Sequence, residues 1–493
     1  MVNSYLSSSG AQGAAIKAGL GLLLSLVLAA CGGGSGGGGG SGNSTGSGSG
    51  GGSSSGGSLL TVGGSISGLI NDGLILTNAG TQISIKAGAT SFQFTAITPG
   101  SAYAVSIMQQ PDSEVCTLAN ASGTATGNVS LVAISCQTDT KLHAFDNNTT
   151  EGMLPYSGLV ADVQGNLYGT AVAGGAYNGG SIFKITPQGI YSTLYSFGGV
   201  ANDGESPYAD LVIDAAGNLY GTTANGGPDG AGIVFKYSAA GQFSKIVDLG
   251  PVNGLFYGAP NGRMVLTATG DLYGTASFSN HNGAVFRLSK DGQLSTVYEF
   301  SGTQDGDNPT GAIVVDANGN IFGTTYDGGA NGQGIIYKID NTGHETILHS
   351  FAGGATDGSY PYGGLVADAS GNLYGTTATG GAKDNGTVFK IAPDGTFKLL
   401  ATFDSNSGKY PLGALTFDAQ KNLIGTTYDW GTSNGSIFSV APDGTFQILF
   451  KFGNSTVEGA RPVGAVTLVG SKIVGTTSQG GVNGYGTTFS LNH

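Results

Sequence analysis

The sequence predicts an all-β protein: a seven-bladed β-propeller of four-stranded blades, closed by an N-terminal strand and preceded by a small Ig-like β-sandwich. A phrase close to Gly-Asn-Leu-Tyr-Gly-Thr-Thr occurs seven times, first at Gly165, with a period of about 50 residues. Each copy lies in a unit of four short apolar runs separated by turn residues. The segment before the repeats also carries short β-type runs, but without the phrase.

The first 30 residues have the pattern of a lipoprotein signal peptide. Residues 18–30 are an apolar stretch too short to span a bilayer, and the sequence ending at Cys31 resembles a bacterial lipobox. We expect Cys31 to be acylated and to anchor the protein to the membrane; an ordinary secretory signal is the alternative. Gly32 in place of Asp favours the outer membrane. Residues 31–58 are almost wholly Gly and Ser and predict a flexible linker.

Residues 59–137 predict the Ig-like sandwich, which would act as a stalk. Short β-branched and apolar runs alternate with turn clusters such as Asn71-Asp72-Gly73 and Pro99-Gly100. Because export exposes the chain to an oxidising compartment, we expect Cys116 and Cys136 to form a disulfide.

Residues 138–493 predict the propeller, and the two ends of this region indicate how it closes. The last copy stops after its third predicted strand, at residues 488–491. The missing fourth strand has a counterpart before the first copy, where residues 141–145 resemble the fourth-strand segment 348–351. Completing the last blade with this segment would remove an open sheet edge. The sequence therefore favours a closed, monomeric ring over an open solenoid.

Composition narrows the classes of partner. The formal net charge is −13 and only 10% of residues are charged. Nucleic-acid binding calls for a basic surface, so we expect no nucleic-acid partner.

The repeat resembles a known family. Residues 141–493 are similar to GloVer-type tandem repeats. The similarity lies in the Gly-Asn-Leu-Tyr-Gly-Thr-Thr phrase and in the Gly-Gly, Gly-Thr-Val-Phe-Lys and Pro-Asp-Gly-Thr-Phe segments that follow it. These repeats occur in bacterial surface and secreted proteins with varied anchors. The resemblance implies a propeller-like repeat and an anchored location, and it transfers no catalytic residue.

Five acidic residues recur in an acidic-Gly-x-x-Pro link before a blade. They are Glu151, Asp203, Asp305, Asp357 and Glu458. Carboxylates gathered on one face would suit Ca²⁺ or a polyhydroxylated ligand. Alternatively, each acid accepts backbone N–H bonds in its own turn before the proline, which we favour. No cofactor is expected, apart from Ca²⁺ if the first interpretation holds.

Aromatic residues are the other candidates for ligand contact. Tyr156, Tyr208 and Tyr362 follow link prolines, and Trp430 interrupts a Gly-Gly loop position. Such rings stack on sugars, but tyrosines also pack between blades. The five histidines show no metal-ligand spacing.

These observations favour a lipid-anchored cell-envelope protein that binds an extracellular glycan or protein, or acts as a scaffold, through a propeller face. One alternative is a hydrolase or lyase acting on polysaccharides or lactones through face carboxylates. The other is a structural envelope protein without a specific ligand. The sequence favours a non-enzymatic role.

Overall fold

The computed structural model describes residues 59–111, 114–138, 140–147, 150–250, 260, 262–277, 282–429, 434–453 and 459–493. The predicted signal peptide, Cys31 and the linker lie outside these residues, as do Glu458 and Trp430. The described residues form strands, turns and bends without any helix, so no membrane-spanning helix occurs among them.

Residues 60–138 form two four-stranded sheets. Their strands are β1 (Leu60–Ser67), β2 (Leu74–Asn78), β3 (Thr81–Ile85), β4 (Ser91–Ile97), β5 (Ala102–Gln109), β6 (Glu114–Ala119), β7 (Ser122–Thr124) and β8 (Val129–Thr138). One sheet has the order β4-β1-β8-β6 and the other β3-β2-β5-β7; β1 and β8 run parallel. Leu76 of one sheet and Val132 of the other are fully buried in a shared core. The Ig-like assignment stays a prediction.

The predicted disulfide is confirmed. Cys116 on β6 lies directly opposite Cys136 on β8, and the two are bonded. Closing a loop of this length stabilises a domain by about 3 kcal/mol in the chain-entropy model.

The repeats start after β9 (Thr140–Ala144). The first two contain β10 (Gly152–Met153), β11 (Val160–Ala161), β12 (Leu167–Ala171), β13 (Ala173–Gly174), β14 (Ser181–Ile185), β15 (Tyr191–Ser196), β16 (Gly204–Glu205), β17 (Val212–Ile213), β18 (Leu219–Thr222), β19 (Asn225–Gly226), β20 (Ile233–Tyr237) and β21 (Phe243–Asp248). The third and fourth contain β22 (Val265–Leu266), β23 (Leu272–Ala276), β24 (Ala284–Leu288), β25 (Leu294–Glu299), β26 (Val314–Val315), β27 (Ile321–Thr325), β28 (Ile335–Ile339) and β29 (Glu345–Ser350).

The fifth and sixth repeats contain β30 (Gly358–Ser359), β31 (Val366–Ala367), β32 (Leu373–Thr377), β33 (Thr379–Gly380), β34 (Thr387–Ile391), β35 (Phe397–Thr402), β36 (Thr416–Phe417), β37 (Leu423–Thr427), β38 (Ser436–Val440) and β39 (Phe446–Lys451). The seventh contains β40 (Gly459–Ala460), β41 (Thr467–Val469), β42 (Lys472–Thr477), β43 (Gln479–Gly480) and β44 (Thr487–Asn492).

These strands build a propeller-like series of antiparallel meanders. Seven four-stranded sheets occur in the described part of the repeat region, and we number them repeat sheets 1 to 7 along the chain. Repeat sheet 1 has the order β11-β12-β14-β15, and the next five follow the same pattern. Neighbouring sheets share buried side chains: Ile182 of repeat sheet 1 packs in one cluster with Phe235 of repeat sheet 2.

Repeat sheet 7 takes its fourth strand from the start of the repeat region. Its order is β41-β42-β44-β9, with Thr487 opposite Ala144. Phe145, just after β9, is fully buried in a cluster with Phe183 of repeat sheet 1 and Val474 of repeat sheet 7. The N-terminal strand therefore joins the first and last repeats, as the sequence predicts.

The recurring phrase builds the turn between the first two strands of each meander. In the first copy, the Asp162 carboxylate accepts bonds from the backbone amides of Gln164 and Asn166, the Asn166 side chain and the Tyr168 hydroxyl, at 2.7–3.0 Å. A Cβ on Gly169 would lie 2.6 Å from the Phe183 ring. The phrase thus serves turn formation and close packing.

The threonine of the phrase connects adjacent sheets. Thr170 of repeat sheet 1 donates to the carbonyl of Ala209, two residues after Pro207 and before repeat sheet 2, at 3.4 Å. Thr476 of repeat sheet 7 donates to the carbonyl of Ser157, which precedes repeat sheet 1, at 2.6 Å. The same contact therefore continues from the last repeat to the first.

Candidate functional site

One side of the repeat region carries both the links between repeats and the loops after the second strands. The link residue Gly152 pairs with Gly174 of such a loop, and Gly358 pairs with Gly380 in the same way. We term this side the link face. The described links lead from this side to the first strand of the following repeat sheet.

Six described residues that directly precede a link proline have a strained backbone. Their φ is 55–59° although none of them is glycine; they are Leu154, Ser206, Asn308, Tyr360, Tyr410 and Arg461. A positive φ is costly for such residues, and the following proline adds a further restriction. Hydrogen bonds hold the conformation: the Tyr360 amide donates to Gln333 of the preceding loop, and its carbonyl accepts from Ala378. The links are therefore fixed in position.

The link carboxylates are bound within their own turns. The buried Asp203 side chain accepts bonds from the Tyr195 hydroxyl and the Gly198 and Gly204 amides at 2.8–2.9 Å. Asp305 accepts from the Tyr298 hydroxyl at 3.1 Å and the Ser301 amide at 2.8 Å.

The two remaining described link acids pair with histidines. His349 Nε2 lies 3.2 Å from both carboxylate oxygens of Asp357, and His143 Nε2 lies 3.1 Å from Glu151. Burial works to raise the pKa of Asp357, but the His349 contact and two backbone amides hold it below its ordinary value. Desolvation lowers the pKa of His143, against the opposite effect of Glu151. In the described part of the chain, no three His, Cys, Asp or Glu residues are grouped to hold a metal ion.

The link tyrosines, by contrast, come together around a cavity of about 80 Å³. Tyr156, Tyr208 and Tyr362, from the links to repeat sheets 1, 2 and 5, all line it. The rings of Tyr156 and Tyr208 lie 5.6 Å apart. Residues from the links to all seven repeat sheets line this space, so we term it the central cavity.

Besides the tyrosines, two ionisable side chains line the central cavity, and neither was predicted from the sequence. Asp210 and Arg263 occupy the third position after the link proline in consecutive repeats. At that position the other repeats carry only Gly or Ala: Gly158, Ala312, Gly364, Ala414 and Ala465. Aligning the repeats on the proline would have revealed the exception.

The Asp210 carboxylate is oriented by the neighbouring repeat. Its Oδ1 accepts a bond from the Gly158 amide at 2.5 Å. Burial raises the pKa of Asp210, and the charge of Arg263 and the Gly158 bond partly offset this rise. Within the described residues, Arg263 forms no ion pair or hydrogen bond. The cavity therefore holds a carboxyl group and a guanidinium group that are not joined by direct contact.

Other polar groups of the cavity also have unused hydrogen-bonding capacity. Thr310 Oγ1 is buried without a partner in the described structure. The Tyr156 and Tyr362 side chains are half-buried, and no hydrogen bond of their hydroxyls occurs among the described residues. Since buried polar groups are normally satisfied, these groups indicate an occupant such as water or a ligand.

Further aromatic side chains lie beside the cavity tyrosines. The Tyr326 ring stacks on Tyr360 at 5.0 Å and meets Tyr362 edge-on at 6.1 Å. The Arg461 guanidinium lies 5.4 Å from the Tyr428 ring centre, and its Nη1 donates to the Tyr428 hydroxyl at 3.3 Å. Aromatic surface therefore extends from the cavity toward its rim.

Two carboxylates also face each other across a backbone bridge of the link face. Asp307 and Asp327 exchange backbone hydrogen bonds at 2.9 and 3.0 Å. Burial, with the added charge of Asp327, raises the pKa of Asp307 to about 6. Burial also raises the pKa of Asp327, whose carboxylate accepts a bond from the Asn308 side chain at 3.1 Å. Both carboxyl groups therefore keep a proton to a higher pH than an ordinary aspartate does.

Several solved structures are similar to this chain at low sequence identity and low TM-score. The extracellular domain of BT4673 from B. thetaiotaomicron has a TM-score of 0.43 and 14% identity, over 70% of this chain and 40% of that one. PorZ, a surface component of the type-IX secretion system of Porphyromonas gingivalis, has a TM-score of 0.44 and 13% identity, over 83% of this chain and 55% of PorZ. The gluconolactonase XC5397 from Xanthomonas campestris has a TM-score of 0.39 and 13% identity, over 72% of this chain and 90% of XC5397. This chain thus spans less than half of the BT4673 domain.

No curated protein matches the sequence. The model of the Gloeobacter/Verrucomicrobia repeat matches residues 53–259, 102–315 and 310–493, which together cover most of the chain. The resemblance drawn from the repeated phrase is thereby confirmed. The chain belongs to the Gloeobacter/Verrucomicrobia repeat family.

Proposed function

We propose that this protein is a cell-envelope binding protein whose closed seven-bladed ring presents the link face to an extracellular glycan. The observation that carries this proposal is the convergence of Tyr156, Tyr208 and Tyr362 on a cavity that also contains Asp210 and Arg263. Tyrosine offers an apolar ring and a polar hydroxyl, a combination that suits the C–H faces and hydroxyls of sugars.

The size of the cavity supports binding rather than enclosure of a substrate. Pockets that bury a drug-sized ligand measure roughly 300–1,000 Å³. The central cavity, at about 80 Å³, has room for only part of such a molecule. A ligand would therefore lie on the tyrosines and insert a single group.

The glycan proposal is tested with an array of oligosaccharides, polysaccharides and envelope proteins probed with the purified protein. Saturable glycan binding that Tyr156→Ala weakens at least tenfold is expected. Binding to proteins alone would replace the glycan by a protein ligand. Binding to neither would leave the structural role and overturn the proposal.

A second candidate, an enzyme acting on polysaccharides or lactones, is favoured by one observation. Asp307 and Asp327 oppose each other on the link face, and the pKa of Asp307 is raised to about 6. A carboxyl group that keeps its proton near neutral pH can act as a general acid. Turnover of any array ligand, abolished by Asp307→Asn, would establish the enzyme; binding without turnover would exclude it for those ligands.

The proposed location rests on the N-terminal sequence. Cys31 would carry the lipid, residues 31–58 would act as the spacer, and the outer membrane would hold the anchor. Incorporation of radiolabelled palmitate that is lost in Cys31→Ser is expected. Equal labelling of the variant would refute the anchor. The Ca²⁺ alternative is tested by calorimetry, and we expect no binding because the described link acids are occupied in their own turns.

A further inference from the structure

The Asp210–Arg263 pair restricts the class of glycan that the central cavity would accept. The Asp210 carboxyl already accepts the Gly158 amide and so presents acceptor oxygens, whereas arginine is a donor only, with five N–H groups. The two occupy the same repeat position in adjacent sheets, yet no ion pair joins them. The cavity therefore offers one accepting and one donating group side by side.

Vicinal sugar hydroxyls complement this arrangement. Each hydroxyl donates one hydrogen bond and accepts others, so one member of a diol can donate to Asp210 while the other accepts from Arg263. Thr310 Oγ1 and the Tyr156 and Tyr362 hydroxyls, which have no partner among the described residues, would supply the remaining contacts.

The net charge of the chain and the volume of the cavity further restrict the class of ligand. The whole chain carries a formal net charge of −13, which disfavours the approach of a polyanion. A cavity of about 80 Å³ corresponds to a few water molecules rather than a whole sugar ring. Since the links of all seven repeats surround it, an inserted group enters from the link face.

We infer that the central cavity recognises the terminal vicinal diol of a neutral saccharide chain, with Asp210 accepting from one hydroxyl and Arg263 donating to the other. This inference rests on the proposed glycan-binding function. It adds that recognition takes place at the chain end, that it selects neutral over acidic glycans, and that both charges are required.

The test uses an array of neutral and uronic-acid oligosaccharides of matched length, each intact and after periodate cleavage of its diols. The full-length protein is compared with Arg263→Ala, Arg263→Lys and Asp210→Asn. Lys383→Ala is the matched control, because Lys383 is an exposed cation on a link-face loop outside the cavity. Circular dichroism of each variant verifies folding.

The inference predicts selective binding of neutral oligosaccharides, lost after periodate cleavage and little affected by salt. Arg263→Ala and Asp210→Asn should each weaken it about 10- to 100-fold, since each removes hydrogen bonds to a charged group. Arg263→Lys should give an intermediate loss, and Lys383→Ala should stay within about twofold, as expected for a surface charge.

Three outcomes would overturn the inference while leaving glycan binding in place. These are a preference for uronic-acid chains, binding that survives periodate treatment, and wild-type affinity in both cavity variants. An affinity gain for acidic glycans in Asp210→Asn alone would identify Arg263 as a carboxylate site instead. Absence of any glycan binding would overturn the proposed function and the inference together.

Discussion

Replacing Phe145 with alanine tests how the repeat region closes. Phe145 precedes the first repeat in sequence, but it is fully buried between repeat sheets 7 and 1. In an open array this residue would lie at a free end and contribute little to stability. In a closed ring it should contribute as much to the free energy of unfolding as a buried phenylalanine of an internal repeat.

Phe351 provides the matched internal comparison. Both residues are fully buried, and each follows a fourth strand. The Phe145 ring lies 5.1 Å from His143 and 5.2 Å from Phe183; the Phe351 ring lies 4.8 Å from His349 and 5.4 Å from Phe389. Truncating such a buried phenylalanine costs about 3–5 kcal/mol, so Phe145→Ala and Phe351→Ala should destabilise equally within about 1 kcal/mol.

Urea unfolding followed by circular dichroism measures this comparison. Both variants should lower the midpoint of the repeat-region transition by about 1 M or more. A loss of about 3 kcal/mol in Phe351→Ala with a loss below about 1 kcal/mol in Phe145→Ala would show that the ring does not close through this strand.

Three further predictions concern side chains with defined partners. Asp203→Ala should destabilise the protein by about 3 kcal/mol, because three donors lose a buried carboxylate, while alanine at the exposed neighbour Glu205 should change stability by less than about 0.5 kcal/mol in the same urea assay. Because the folded-state pKa of Asp307 lies near 6, above its ordinary 3.8, the folded state binds the extra proton, and stability should fall as pH rises from about 4 to 6. Asp307→Asn should flatten this dependence and stabilise the protein by about 1 kcal/mol at pH 7, after allowance for solvent screening; an unchanged melting profile across that range would contradict the assignment. Reducing the Cys116–Cys136 disulfide should lower the stability of the N-terminal sandwich by about 3 kcal/mol, seen as an earlier calorimetric transition, and an unshifted transition would contradict it.

The repeat architecture was accessible from sequence because its signals are local and recur in register. The sequence predicts a strand at each copy of the phrase, and in the fifth repeat its Leu-Tyr-Gly-Thr-Thr segment is β32 (Leu373–Thr377). The last repeat lacks a predicted fourth strand, and a similar segment precedes the first repeat. This observation likewise predicted the pairing of β9 with β44.

The central cavity was not predicted, because it depends on which residues converge around an axis. Asp210 and Arg263 lie 53 positions apart in the chain and belong to different repeats, so no local motif connects them. At their position after the proline, Asp210 and Arg263 differ from the Gly or Ala of the other repeats only in the size and charge of the side chain. The strained residues before the prolines were also missed, since Leu154 and Tyr360 are not residue types that suggest a positive φ.

The sequence indicated the tyrosines and the link acids with similar strength, and the structure separates them. Tyr156, Tyr208 and Tyr362 share a cavity, whereas Asp203 and Asp305 are occupied by hydroxyl and amide donors of their own turns. Regular positions in this fold therefore build the framework, and the exceptions to the repeat carry the candidate chemistry.

Hydrogen–deuterium exchange with and without a bound glycan tests the central claim most directly, namely that binding takes place at the centre of the link face. The bound glycan should slow exchange in residues 156–158, 208–210 and 262–264, while exchange in the turns on the opposite side stays unchanged. Protection confined to those opposite turns or to the N-terminal sandwich would contradict it.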